Sequence, residues 1–209
     1  MIETNEQLIQ ELIDFGYLKN ERLIDAFKNI DRKDFIQEAS KDLAYINEPL
    51  AIGYNQTISQ PLTVAFMLEL LDLKEGDNVL EIGAGSGWQT MLIAHMISNT
   101  GNITAIEVIP EFKEMAEKNI SKHVNEVFNN IKLILGDGSK GFEENSPYDK
   151  IISAATCDEI PTSWKEQLKI GGRIVTPVKN SIVVLDKTAK NDFIEKSFPG
   201  FSFVPLVIG

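Results

Sequence analysis

Val79-Leu80-Glu81-Ile82-Gly83-Ala84-Gly85-Ser86-Gly87-Trp88 is the stretch that decides the fold. An apolar run carrying one acid leads into glycines at alternate positions and then into an apolar-periodic segment. That order reads as strand, tight turn, helix, the first unit of a nucleotide-binding α/β fold. Glycine permits φ > 0 in the turn and leaves no side chain where backbone must approach a ligand. A dinucleotide fingerprint spaces its glycines as Gly-x-Gly-x-x-Gly and aims a helix N-terminus at a pyrophosphate. Here the third glycine comes one residue early, which suits an adenosine ligand without phosphate.

Working outward, the same alternation repeats. A strand over 78–82 precedes a helix over about 87–98. A strand over 102–107 precedes a helix that starts at Pro110, a favoured first position, and runs to about 124. Strands follow over 131–135 and 149–155, then a short helix over 162–168 ended by Gly171-Gly172, and a strand over 172–178. The tail after 180 reads as strands and turns. Upstream, residues 5–30 read as two helices broken near Gly16, residues 31–58 as loop, and Pro61–Leu71 as an apolar helix with Ser59 in an N-cap placement. Strand–helix alternation predicts a doubly wound, mostly parallel sheet that binds ligands at the carboxyl ends of its strands. Residues 1–60 then form a helical and loop addition to a core of 61–209, within one domain of 1–209.

The chain has 209 residues, 43% of them hydrophobic, enough to bury a core. Lys+Arg number 20 against 31 Asp+Glu, a formal charge of -11. No Lys/Arg run offers a phosphate-neutralising face, so nucleic acid is not the expected partner. The single Cys157 excludes an internal disulfide and suits a reducing cytoplasm. Neither a zinc-spaced Cys/His cluster nor a bilayer-length apolar run is present, and the polar, acidic N-terminus does not read as a signal peptide. The expectation is a cytoplasmic protein without metal or membrane attachment, and a monomer.

Glu107 ends the second core strand, where a carboxylate can accept from both ribose hydroxyls of an adenosine ligand. Asp137, in Gly136-Asp137-Gly138, can accept from an adenine amino group. These two acids, with the early third glycine, point to S-adenosyl-L-methionine. The hydroxyl- and amide-rich Gly53-Tyr54-Asn55-Gln56-Thr57-Ile58-Ser59-Gln60-Pro61 precedes an apolar helix. Ser59 has no evident histidine partner and is not expected to act as a nucleophile. His95 and His123 read as structural or surface groups, Cys157 as an inert thiol, and Trp88 as either a pocket wall or core.

Taken together, Gln56-Thr57-Ile58-Ser59-Gln60-Pro61, the glycine turn, Gly136-Asp137-Gly138, Ile160-Pro161 with Gln167-Leu168 and Gly171-Gly172, Asp34-Phe35, and Phe203-Val204-Pro205-Leu206 resemble the protein-L-isoaspartate O-methyltransferases over almost the whole chain. The resemblance implies an α/β class, a doubly wound, mostly parallel seven-stranded Rossmann-like sheet, and methyl transfer from S-adenosyl-L-methionine to the α-carboxyl of L-isoaspartyl residues in damaged proteins or peptides. The ester then closes to a succinimide, a route back to aspartate. Carried onto this chain, Ser59 is the active-site hydroxyl, and Thr57 and Ile58 line the acceptor pocket. Gly83, Gly85 and Ser86 hold the cofactor's amino-acid end, Glu107 the ribose, and Asp137 with Gly138 the adenine. Gln56, Thr57, Ser59, Glu81, Ala84 and Val108 complete the cofactor set.

Two departures bear on the acceptor. Asn55 stands where such proteins usually have glycine; asparagine is a frequent non-glycine visitor to φ > 0. After Pro177-Val178 the usual glycine and later glutamine are replaced by Lys179-Asn180-Ser181, running straight into an apolar strand. Two other readings stand beside the first: a methyltransferase of the same build acting on another acceptor, and a module that binds S-adenosylmethionine without turnover.

Overall fold

The computed structural model describes residues 2–123 and 130–208. Helix α1 (Asn5–Asp14) begins in a capping box, Thr4 with Gln7, and α2 (Glu21–Asn29) is capped by Asn20. Gly16, at φ 74°, separates them as expected. The stretch 31–58, read as loop, holds short 3-10 turns and a hairpin, β1 (Leu50–Gly53) and β2 (Gln56–Ile58). Two three- or four-residue strands are too short to show a period, and their turn is Tyr54-Asn55, both at positive φ (49° and 58°). That is the geometry a two-residue hairpin demands, and asparagine supplies it at the second position.

Helix α3 (Pro61–Leu71) starts with Pro61 in its first turn; Gln60 is the N-cap and makes no side-chain capping bond. Ser59 is therefore not the cap. Proline has no N–H to satisfy, so the helix start needs one acceptor fewer.

The core is β3 (Asn78–Ile82), α4 (Trp88–Ile97), β4 (Asn102–Glu107), α5 (Pro110–Ser121), β5 (Ile131–Leu135), β6 (Tyr148–Ser153), α6 (Thr162–Gln167), β7 (Leu168–Val178), β8 (Ser181–Lys187) and β9 (Phe193–Pro199). The expected end of α5 near 124 lies outside the described residues. Strand β6 ends two residues early. β7 begins at Leu168, so Gly171-Gly172 lie inside a strand whose pairing with β6 is irregular between Tyr148 and Lys150.

One seven-stranded sheet runs β5-β4-β3-β6-β7-β8-β9. The first five strands are parallel; β8 pairs antiparallel with β7, and β9 antiparallel with β8. Strand order reverses at β3, so the carboxyl ends of β3 and β6 flank the switch point. Lys179 (φ 55°) and Asn180 make a two-residue turn closing on the Val178–Ser181 pair, which explains how 179–181 passes directly into a strand. One apolar core joins Leu8, Leu12 and Phe27 of the N-terminal helices to Val79, Ile103 and Trp88. Burial of that kind is worth about 25 cal/mol per Å² and fixes the added helices onto the sheet.

Among the described residues no helix is long and apolar enough to cross a membrane, and no group of His, Cys, Asp or Glu is placed to hold a metal ion.

Candidate active site

Three turns leave the same edge of the sheet. After β3 the chain folds back over β4: the Gly83 and Ala84 N–H groups donate to the Ile106 carbonyl at 2.8 and 3.2 Å. Gly83, Gly85 and Gly87 take φ of 85°, 54° and 86°. A Cβ on Gly83 would meet nothing within 4 Å, because that side faces open space. After β4, Glu107 accepts from the Gly85 N–H (2.8 Å) through Oε2 and from the Val108 and Ile109 N–H groups (2.8 and 3.0 Å) through Oε1. Its carboxylate is thus held by backbone at the cavity's edge, with lone pairs left to accept from a ligand. After β5, Gly138 lies against the sheet so closely that a Cβ there would be 2.5 Å from Ile82 Cγ2.

These turns form one wall of a cavity of about 350 Å³, within the range of small-molecule sites. The opposite wall is the hairpin together with the start of α3, through Ile52, Gln56, Thr57, Ser59, Gln60 and Thr63. Of the residues expected at the site, the cavity gathers Gln56, Thr57, Ser59, Gly83, Gly85, Glu107, Val108 and Gly138. Ile58, Glu81, Ala84, Ser86 and Asp137 do not line it.

The reasons are local. Thr57 and Ser59 line the cavity, while Ile58 between them, 4% exposed, points into the core. Ala84 and Ser86 are buried beneath the turn, the Ser86 carbonyl accepting from Asn119. Glu81 is fully buried behind the turn, 2.6 Å from Thr90 Oγ1 and 3.0 Å from Gln89 Nε2. Burial pushes its carboxyl up to about 8; it clamps α4 to β3. Asp137 Oδ1 accepts from the Ser139 N–H and O–H at 3.0 and 2.7 Å. Its Oδ2 is buried without a directed hydrogen bond, although the Lys140 ammonium lies 3.1 Å away. Burial acts to raise the Asp137 pKa, but the bonds from Ser139 and Lys140 outweigh it and hold the group below its ordinary value.

The sequence reading missed Phe112 and the C-terminal stretch Ser202–Val207, which also line the cavity. Phe112 follows Pro110 in the first turn of α5, a position any β4–α5 connection brings to the sheet edge. The tail is placed by contacts between distant segments: the Thr156 N–H donates to the Val204 carbonyl and the Leu206 N–H to the Thr156 carbonyl, both at 2.8 Å. Phe201, just before it, stacks on Phe66 with centroids 5.5 Å apart. No period or motif announces such pairing.

The other chemically capable groups lie elsewhere. His95 is 2.8 Å from Asp25, and His123 is 3.2 Å from Asp34 and stacked on Phe35. Cys157 donates to the Pro177 carbonyl, and burial pushes its thiol up, away from the reactive thiolate. Trp88 is core: it donates to the Ile30 carbonyl and packs edge-on against Phe27.

The glycine wall, the backbone-held Glu107 and Gly138 close against the sheet fit an adenosine cofactor with a short polar tail. Fold and cavity together define an S-adenosylmethionine-dependent methyltransferase. Residues 3–209 match the family described as Protein-L-isoaspartate(D-aspartate) O-methyltransferase (PCMT), and the chain belongs to it. Relatives named protein-L-isoaspartate O-methyltransferase include those of Methanococcus aeolicus, 41% identical over 99% of this chain and 95% of its own, and Methanopyrus kandleri, 37% identical over 97% and 90%. A solved protein-L-isoaspartate O-methyltransferase superposes with a TM-score of 0.85 at 26% identity, covering 97% of this chain and 65% of that one. A Plasmodium falciparum chain, solved with S-adenosyl-L-homocysteine, shares the fold with a TM-score of 0.86 at 21% identity and 99% coverage of both chains.

Proposed function

We propose that the chain binds S-adenosyl-L-methionine along the glycine wall and directs its methyl group to the α-carboxyl of L-isoaspartyl residues in proteins and peptides. The observation that carries this reading is that Ser59 and Thr57 face Glu107 and the glycine turn across one cavity. Glu107 would accept from the ribose, Gly83 and Gly85 would let the backbone approach the amino-acid end, and Gly138 with Asp137 would hold the adenine. The cofactor supplies an electrophilic methyl group on a sulfonium.

An acceptor carboxylate is already ionised at neutral pH. No general base is needed, which accords with a described lining that holds no histidine. The protein has to align the reactants and exclude water. The Ser59 hydroxyl makes no hydrogen bond among the described residues and is free to donate to the carboxylate. It positions the acceptor and forms no covalent intermediate.

The same reading takes 1–209 as one domain, 1–60 supplying the acceptor side, working as a cytoplasmic monomer without nucleic acid or membrane. Its test uses labelled S-adenosylmethionine with paired peptides containing L-isoaspartate or L-aspartate. Base-labile label on the isoaspartyl peptide alone is expected; label on neither, with cofactor bound, overturns it. Ser59→Ala should lower kcat by roughly ten- to a hundredfold, the worth of one hydrogen bond to a charged group. Cofactor affinity should stay within about twofold; an equal loss of both would remove Ser59 from the acceptor side.

A further inference from the structure

The acceptor is an anion, the chain carries a formal charge of -11, and among the described residues lining the cavity none is Lys, Arg or His. The one ionisable group there is Glu107, itself an acid. Hydroxyls and amides can hydrogen-bond a carboxylate, but they offset less of the cost of taking that charge out of water than a cation does.

A cation does lie one peptide behind the wall. Arg32 is fully buried. Its guanidinium donates to the carbonyls of Ala44 (2.8 Å), Ile46 (3.2 Å), Glu48 (2.9 Å) and Ser59 (3.2 Å). It also sits over the Trp88 ring, 5.6 Å from the centroid. Among the described residues no carboxylate forms an ion pair with it, and desolvation lowers its pKa to about 10, still far above neutrality. A buried charge without a counterion is costly, and carbonyl dipoles solvate it without cancelling it. The Ser59 peptide lies between this charge and the cavity, and a buried charge is screened less than an exposed one.

We propose that Arg32 is a positioning residue with two roles. It fixes Ser59 by its carbonyl, and it supplies the positive potential that makes the acceptor pocket select a carboxylate. This rests on the proposed isoaspartyl acceptor. A guanidinium that merely fastened the 44–48 loop to Ser59 would support any acceptor alike; one that also supplies potential discriminates by charge.

The test measures binding by calorimetry in saturating S-adenosylhomocysteine, whose thioether lacks the sulfonium charge and whose ammonium and carboxylate are common to every arm, so that differences between variants report the protein's potential. Two ligands are compared: an L-isoaspartyl peptide and the same peptide with its α-carboxyl converted to a carboxamide. The wild type should prefer the carboxylate by roughly tenfold or more, equivalent to one kilocalorie-scale charge interaction. A buried source is screened much less than an exposed one, so the ratio should change by less than about twofold between low and high salt. Arg32→Lys, which keeps the charge, should hold the ratio within about threefold of wild type, and Arg32→Gln should bring it near one, both with S-adenosylhomocysteine affinity almost unchanged. Equal weakening of both peptides in Arg32→Gln overturns the proposal and leaves a fastener. Should that variant not fold, a wild-type ratio near one, or one that collapses with salt, overturns it. Failure of the wild type to bind either peptide is a different result and counts against the acceptor assignment itself.

Discussion

The two walls of the cavity are built differently. The cofactor wall is three turns, each directly after a strand of a parallel sheet, and its positions follow from sheet register: Ile82 pairs with Ile106, and Glu107 with Leu135. Its contacts are largely backbone. The acceptor wall is a hairpin, a serine and a C-terminal tail that belong to no parallel strand. They are held by Arg32, by the Thr156–Val204 pairing and by Phe66 against Phe198 and Phe201. A wall made of register resists change in one place only by breaking the sheet. A wall hung on separate contacts can be altered piece by piece, and both departures of this chain, Asn55 and 179–181, lie on or beside it.

The sharpest way to break the comparison is Glu107→Gln. The carboxylate accepts three backbone N–H groups across two oxygens. An amide has one acceptor oxygen, so its NH₂ must face an N–H or swing into the cavity. Loss of a charged acceptor with a donor left unsatisfied costs about 3 kcal/mol, or about a hundredfold in S-adenosylhomocysteine affinity by calorimetry. Acceptor-peptide selectivity should be unaffected in the fraction that binds cofactor. A loss under about threefold would mean that Glu107 serves the turn and not the ligand.

A second test touches the support behind the cofactor wall. Folding keeps Glu81 protonated up to about 8, against 4.5 for the free group. Between those values the native state holds a proton that the unfolded chain has released. Stability from this group is therefore present below about 4.5 and lost as pH rises toward 8, by up to ~1.4 kcal/mol per unit. Glu81→Gln stays neutral and can keep both bonds, accepting from Gln89 and donating to Thr90. Thermal melts should show the wild type losing stability relative to the variant from pH 5 to 8. Parallel curves would mean that Glu81 is ionised in the fold.

The difference between the walls also explains what the sequence disclosed. The order of core elements, the mostly parallel sheet, the glycine turn and the place of Glu107 follow from period and local turn chemistry, which neighbours in sequence encode. Glu81, Ala84 and Ser86 adjoin the cavity in sequence yet face away from it, because a motif names a turn and not the direction of each side chain. Ile58 fails for the same reason: it points into the core between Thr57 and Ser59, which line the cavity. Hairpin β1–β2 was too short for periodicity. Phe203-Val204-Pro205-Leu206 stood out only by resemblance, and its place on the cavity was not legible, since that depends on Thr156 and Phe66, far away in sequence. Nothing in the sequence around Arg32 marks it out; only folding reveals that four carbonyls surround it.

The smallest effect is expected at the tip of the acceptor wall. Asn55 sits at φ 58° with its side chain exposed and without a hydrogen bond among the described residues. Glycine takes that conformation without steric cost, so Asn55→Gly relieves strain in the native turn. It also widens the unfolded ensemble, which opposes the gain by about 0.4–1 kcal/mol. The two nearly cancel, and the melting temperature should move by no more than about 2–4 °C, the shift that one kcal/mol produces in a chain of this size. Methylation of the isoaspartyl peptide should likewise change less than about threefold, because Tyr54 still anchors the tip, its hydroxyl donating to Glu111 at 2.8 Å and its ring edge-on to Phe112. A larger drop in peptide affinity at unchanged stability would show that the Asn55 side chain itself touches the acceptor, and that the hairpin tip selects substrates instead of merely closing the wall.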